Sequence, residues 1–295
     1  MPYFQPPAVA DLIAALPEIS SPVVFASGGF KVVYTAQVNG RHEAVKLIGL
    51  PTGNDKASYL GRLKREVTAL EKCATANELV KLGSIKLKEV QIGASDFLVY
   101  SEELLNGSDL QKLIDVGGTR PDETEIRTLL RCLMAAIKAL SKNGYVHRDI
   151  KPGNIVKLSD GSRPFVLLDL GLAFAVSETP LTAPGVVPGT PHYLAPEMLT
   201  APGNFRDALD HRSDMYTAAL TAYVYATGVH PLYTPGENHS RILYRAVRER
   251  CKPLSNLRED FSKELCKLID QMLKKKPALR PQIEVVCAEL ERTTQ

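Results

Sequence analysis

The apolar residues of this chain change their period partway along it, and that change constrains the fold more than any other feature. Between about Val23 and Ile48, β-branched residues cluster in VVF, KVVYTAQV and EAVKLI, with Asn39-Gly40 between the last two. Asn-Gly flanked by strand-forming runs is the strongest short hairpin signal, so three antiparallel strands are expected here. After a loop carrying Pro51, Gly53 and Asn54, SYLGRLKREVTALEKC sets Leu60, Leu63, Val67 and Leu70 at helical spacing. The runs IKLKEVQIG and DFLVYS then read as a strand pair ending at Glu102 and Glu103.

Beyond that point the pattern is helical. From Glu125 to Lys142, Ile126, Leu129, Leu130, Leu133, Met134, Ile137 and Leu140 form one stripe. Pro121, Asp122 and Glu123 suit its first turn and Gly144 its C-cap. NIVKL and PFVLLD flank an Asp160-Gly161 turn, and helices are expected at about Ser213–Ala226 and Phe261–Leu273. A short helix at ADLIAAL precedes the first strand. The expected class is α+β, a small sheet with one main helix followed by a larger helical region.

Composition sets the broad class. The 295 residues are 44% hydrophobic and 23% charged, enough for a sizeable core. A net charge of +3 with dispersed lysines and arginines implies neither nucleic acid nor an acidic membrane as partner. Five scattered cysteines without Cys-x-x-Cys spacing argue against disulfides and zinc, and for a reducing cytoplasm. No signal peptide is read at the N-terminus, and TAALTAYVYATG is too short to span a bilayer.

Tyr145 to Val156 reads YVHRDIKPGNIV, Asp169-Leu170-Gly171 follows a strand, and Ala44-Val45-Lys46, Ala195-Pro196-Glu197 and Arg280 complete an ordered series. From about Val23 to Glu291 the chain resembles the eukaryotic-type (Hanks-type) serine/threonine protein kinases. The resemblance implies a bilobal fold: an N-terminal extension (1–20), an ATP-binding N-lobe (21–103) and a catalytic, substrate-binding C-lobe (104–295). It also implies transfer of the γ-phosphoryl of Mg²⁺·ATP to protein hydroxyls, in which catalysis is mainly positioning and charge stabilisation.

Residue by residue, the resemblance makes Asp149 the group that accepts or orients the substrate hydroxyl proton. Lys151 neutralises charge on the transferred phosphoryl, and Asn154 and Asp169 are hard oxygen ligands for Mg²⁺. Lys46 grips the nucleotide phosphates with Glu66 as its helix partner, Glu71 lying nearby. Val33 and Ala44 cover adenine from above and Val156 from below. Either Glu102 or Glu103 supplies backbone contacts to adenine, and Asp109 is a ribose contact or a helix N-cap.

The glycine loop departs from the family pattern: Ala26-x-Gly28-x-x-Lys31-x-Val33 keeps the central glycine, with Gly29 beside it, and loses the outer two. Ala26 suits ordinary strand geometry, whereas Lys31 alters the loop and brings an ammonium that can itself reach a phosphate. From Asp169 to Glu197 the chain is rich in Thr, Pro and Gly and resembles an activation segment. Ser177, Thr179 and Thr182 are its candidate autophosphorylation sites, with Arg148 as the pairing cation, and Thr190 lies in the Gly-Thr-Pro substrate loop. Glu197 and Arg280 are expected as a buried ion pair. Ala26 and Lys31 also motivate a second reading, a binding or scaffolding pseudokinase. A small-molecule kinase is disfavoured by Ala195-Pro196-Glu197.

Overall fold

The computed structural model describes residues 6–28, 31–50, 55–118, 120–161, 163–170, 174–175, 191–200 and 209–292. Two compact units result, one taking Met1–Ala74 and Val80–Leu105, the other Thr75–Leu79 and Asn106–Gln295.

The first unit contains α1 (Val9–Ala15), β1 (Ile19–Gly28), β2 (Lys31–Val38), β3 (Arg41–Gly49), α2 (Asp55–Lys72), β4 (Lys88–Ile92) and β5 (Ser95–Glu103). Its strands form one antiparallel sheet in the order β1-β2-β3-β5-β4. Asn39 (φ 49°) and Gly40 (φ 81°) join β2 to β3 with left-handed backbone at both positions, a conformation this pair of residues adopts at little cost. β1 begins at Ile19, earlier than Val23, because the apolar signal near Val23 marked only part of a strand whose outer residues are exposed.

Strand alternation sends successive side chains to opposite faces of this sheet. Val32, Tyr34, Ala36, Val38, Val45, Leu47, Phe97 and Val99 fill one face, closed by Leu12 and Leu16 from α1 and its C-cap. Ile48, Leu98 and Tyr100 fill the other, closed by Leu63 and Val67 of α2. The N-terminal helix is therefore part of the first unit's core.

The second unit contains β6 (Gly107–Asp109), α3 (Leu110–Val116), α4 (Glu123–Lys142), β7 (Tyr145–Val146), β8 (Ile155–Leu158), β9 (Phe165–Leu167), β10 (Phe174–Ala175), α5 (Pro196–Thr200), α6 (His211–Thr227), α7 (His239–Arg248), α8 (Lys263–Met272) and α9 (Ile283–Glu291). Helices dominate it, so sheet and helix segregate as an α+β fold. Asp122 caps α4, its carboxylate accepting from the Glu125 N–H at 2.7 Å. The apolar run in α6 is buried continuously from Ser213 to Thr227, which explains a helix apolar on every side without a membrane. Among the described residues, no helix is long and apolar enough to cross one. α5, α7 and α9 were not anticipated, each being too short or too polar for a long periodic stripe, whereas α3 follows Asp109, one of whose two expected roles was a helix N-cap. Thr75–Leu79 pack with the second unit through β9: the Leu167 N–H donates to Glu78 O at 2.8 Å, and Arg163 donates to the carbonyls of Asn77 and Leu79.

Candidate active site

In the first unit, strand register gathers the expected nucleotide residues. Ala26 lies opposite Val33, Gly28 opposite Lys31, and Val33 opposite Lys46, while Ala44 precedes Lys46 by one full alternation. Directly paired residues share a face, so Ala26, Gly28, Lys31, Val33, Ala44 and Lys46 all stand on the face that Glu66 approaches. Ala26 sits in strand β1, where a Cβ is unstrained. Val33 and Ala44 are half-buried.

Lys46 is buried at 6% exposure between two buried carboxylates, Glu66 and Glu102, each 3% exposed. Its Nζ is 3.5 Å from Glu66 Oε1 and 2.5 Å from Glu102 Oε1. Glu66 Oε1 also accepts the Tyr100 hydroxyl at 2.8 Å, and Lys46 lies 5.2 Å from the Tyr100 ring centroid. Of the two helix acids, Glu66 faces inward and Glu71 is exposed.

Glu102 lies within the sheet, opposite Ala44 on one side and bridged to Leu82 on the other, and its carboxylate is a partner of Lys46. Glu103 N–H donates to Lys81 O at 2.9 Å, and its carboxylate accepts from Lys81 N–H at 2.8 Å. Sequence reasoning missed both Tyr100 and the Glu102 carboxylate as neighbours of Lys46. The period-two spacing of Tyr100 and Glu102 held the signal, but only the β3–β5 register reveals that they face Lys46.

In the second unit, the segment from β7 to β8 carries the other set. Asp149 Oδ2 accepts from Lys151 Nζ at 2.8 Å and Asn154 Nδ2 at 3.0 Å; the same amide donates to Asp149 O at 2.9 Å. Asp149 and Asn154 are 9% and 8% exposed. Asp214 of α6 fixes the segment from beneath, accepting the backbone N–H groups of His147 at 2.7 Å and Arg148 at 2.9 Å. Burial pushes the Asp214 carboxyl above its ordinary range, opposed by the charges of His147 and Arg148 and by those two N–H donors.

His147 reaches Leu168 O through Nε2 at 3.1 Å, and Leu168 N–H donates to Asn154 O at 2.8 Å. These bonds tie the residue before Asp169 to the segment holding Asn154. Arg148 (φ 68°) and Asp169 (φ 61°) both adopt left-handed backbone, unusual for non-glycine residues and a form of local strain held by the surrounding bonds. Leu170 is buried at 1% exposure.

Val156, 8% exposed, pairs in β8 with Asp109 and Val166. Asp109 resolves as the N-cap of α3: its Oδ1 accepts from Lys112 N–H at 2.9 Å, and its Oδ2 lies 3.2 Å from Lys112 Nζ. Glu197 and Arg280 form the expected buried pair, with oxygen–nitrogen distances of 2.6 and 2.7 Å, and Ser213 Oγ adds a third bond to Glu197. Gly29, Ser177, Thr179, Thr182 and Thr190 lie outside the described residues.

With this arrangement established, comparison defines the class. The protein kinase domain model matches residues 24–290, and the chain belongs to that family. A protein of Clostridium acetobutylicum named "Probable serine/threonine-protein kinase" is 32% identical over 260 residues, covering 86% of this chain and 36% of the relative. Serine/threonine-protein kinase PknB of Mycobacterium leprae is 28% identical over 258 residues, 86% of this chain and 39% of that protein. Its Mycobacterium tuberculosis counterpart is 27% identical over 259 residues, with the same coverage of 86% and 39%. The chain thus spans well under half the length of these curated relatives.

Proposed function

We propose that the chain is a serine/threonine protein kinase that transfers the γ-phosphoryl of ATP to protein hydroxyls. The observation that carries the reading is the Asp149 carboxylate, nearly buried and aligned by an ammonium and an amide within one short segment. Held there, Asp149 orients a substrate hydroxyl and takes its proton, and Lys151 offsets charge on the moving phosphoryl. Lys46 binds nucleotide phosphates, with Glu66 as its partner. Ala26, Gly28, Gly29 and Lys31 cover the phosphates; Val33, Ala44 and Val156 contact adenine, and Glu102 or Glu103 contributes through its backbone.

The donor set fits Mg²⁺. With Nδ2 turned to Asp149, Asn154 offers its amide oxygen, and Asp169 offers a carboxylate, both hard donors. Mg²⁺ draws most of its ligands from water and substrate phosphates, so two protein donors suffice. When bound, Mg²⁺ neutralises phosphate charge and orients the phosphates for in-line transfer.

The proposal extends to control by phosphorylation of Ser177, Thr179 or Thr182, paired to Arg148, with Thr190 assigned to the Gly-Thr-Pro substrate loop. The reading carries with it a reducing, cytoplasmic setting, in which the five cysteines keep their thiols.

Transfer of label from γ-labelled Mg²⁺·ATP to a generic basic protein tests the reading. Asp149→Asn should lower kcat about 10²- to 10⁴-fold while leaving the thermal unfolding profile unchanged. Peptide mass spectrometry of the same samples should find phosphate on the segment carrying Thr179 and Thr182 only where Asp149 is intact. A variant as active as the parent protein would refute Asp149 as the catalytic residue, and ATP binding without transfer by the parent would indicate a pseudokinase.

A further inference from the structure

The buried group around Lys46 holds one more carboxylate than a lysine–glutamate pair requires. Lys46, Glu66 and Glu102 are each at most 6% exposed, so an ammonium and two carboxyl groups are collected away from water. The shorter contact goes to Glu102 (2.5 Å), not to Glu66 (3.5 Å). Geometry explains the preference. Glu102 rides on β5, hydrogen-bonded to Lys46's own strand, and the β3–β5 register makes it the diagonal neighbour of Lys46: Lys46 faces Tyr100, and Ala44 faces Glu102. Glu66 comes from α2, a separate element, and already accepts the Tyr100 hydroxyl.

An ammonium has three N–H donors, and a phosphate approaching Lys46 must share them with both acids. With both carboxyl groups ionised, the cluster carries a net negative charge, so the incoming phosphates meet like charge in a poorly hydrated environment where it is weakly screened.

We propose that Glu102 is a positioning residue that sets nucleotide affinity: it holds the Lys46 ammonium against the sheet, and Mg²⁺·ATP binds by drawing that ammonium from Glu102 toward its phosphates while Glu66 remains a partner. This rests on the reading of Lys46 as a phosphate ligand. The Glu102 carboxylate thereby acts on the reaction through Lys46. Because the latch is built into a strand pair, it does not depend on the placement of α2.

The test uses the full chain with Glu102→Gln, which keeps the shape and removes the charge, and Glu102→Met, which removes both charge and hydrogen bonding. Mg²⁺·ATP affinity is measured by titration calorimetry, and KM and kcat by label transfer. Tighter binding is expected in both variants, with Kd and KM lowered about three- to tenfold and kcat changed by less than KM. Folded variants whose Kd is unchanged or weaker would overturn the latch; a purely structural role for Glu102 would lower stability without tightening ATP. If the parent protein transfers label and the variants bind no more tightly, the latch fails and the kinase reading stands. If the variants bind more tightly and no protein transfers label, the latch stands and the turnover reading fails. Absence of ATP binding in all three proteins overturns both.

Discussion

At the scale of single residues, His230 shows how bonding geometry selects a protonation state. Its Nε2 donates to His192 O at 2.9 Å, and its Nδ1 accepts from Leu232 N–H at 3.1 Å, so the neutral ring is satisfied at both nitrogens. The rings of Tyr193, His192 and Tyr233 surround it at centroid distances of 5.3, 5.7 and 5.9 Å. Burial drives its pKa down from 6.5 to about 4, with the His192 carbonyl contact opposing the shift. Between those values the unfolded chain binds more protons than the folded one, so stability rises with pH through this window and levels off above it. The contribution lost on acidification from pH 6.5 to pH 4 is on the order of 3 kcal/mol. Melting temperatures of parent and His230→Asn proteins should therefore converge as pH falls from 7.5 to 4.5; a constant gap would show that His230 does not titrate in this way. Aromatic spacing in the sequence carried no hint of this cluster, because its members come from segments joined only by the fold.

At the scale of elements, α1 shows that a short helix of weak intrinsic stability is held by what it covers. Leu12 and Leu16 are fully buried against Phe97, Val99 and the β2–β3 core. Leu12→Ala should cost about 2–4 kcal/mol in unfolding free energy, as expected for a buried leucine whose cavity only partly collapses. Denaturant titration would check this, and a loss below about 0.5 kcal/mol, the scale of an exposed-site substitution, would mean the helix is not packed as described. The ADLIAAL helix was legible in the sequence, but its docking surface was not, since Leu12 and Leu16 meet strands far along the chain. α4 and the Asn39-Gly40 hairpin were legible almost to their ends, because caps and turn residues act locally.

At the scale of the whole molecule, long-range ion pairing secures the second unit. Arg280, whose side chain is fully buried, grips Glu197 bidentately across 83 positions of sequence and also donates to the carbonyls of Arg212, Lys274 and Lys275. Its guanidinium carbon lies 4.9 Å from the centroid of the Tyr216 ring. Glu197→Ala would leave that charge buried without its counter-ion, and a loss of about 3–5 kcal/mol is expected in denaturant unfolding. A change within 0.5 kcal/mol, as at an ordinary surface site, would show that the carbonyls alone satisfy Arg280.

The sequence by itself determined the α+β segregation, the hairpin and the long helix, and its resemblance to a known family singled out Lys46, Asp149, Asn154 and Asp169 as candidates for the chemistry. The structural signals are local: side-chain period and turn chemistry. What only the tertiary structure decided is which groups meet. It placed Glu66 rather than Glu71 beside Lys46, turned Asp109 into a cap, and brought the Glu102 carboxylate closer to Lys46 than Glu66. Those outcomes depend on strand register and helix docking, where a shift of one residue would send Glu102 to the opposite face of the sheet.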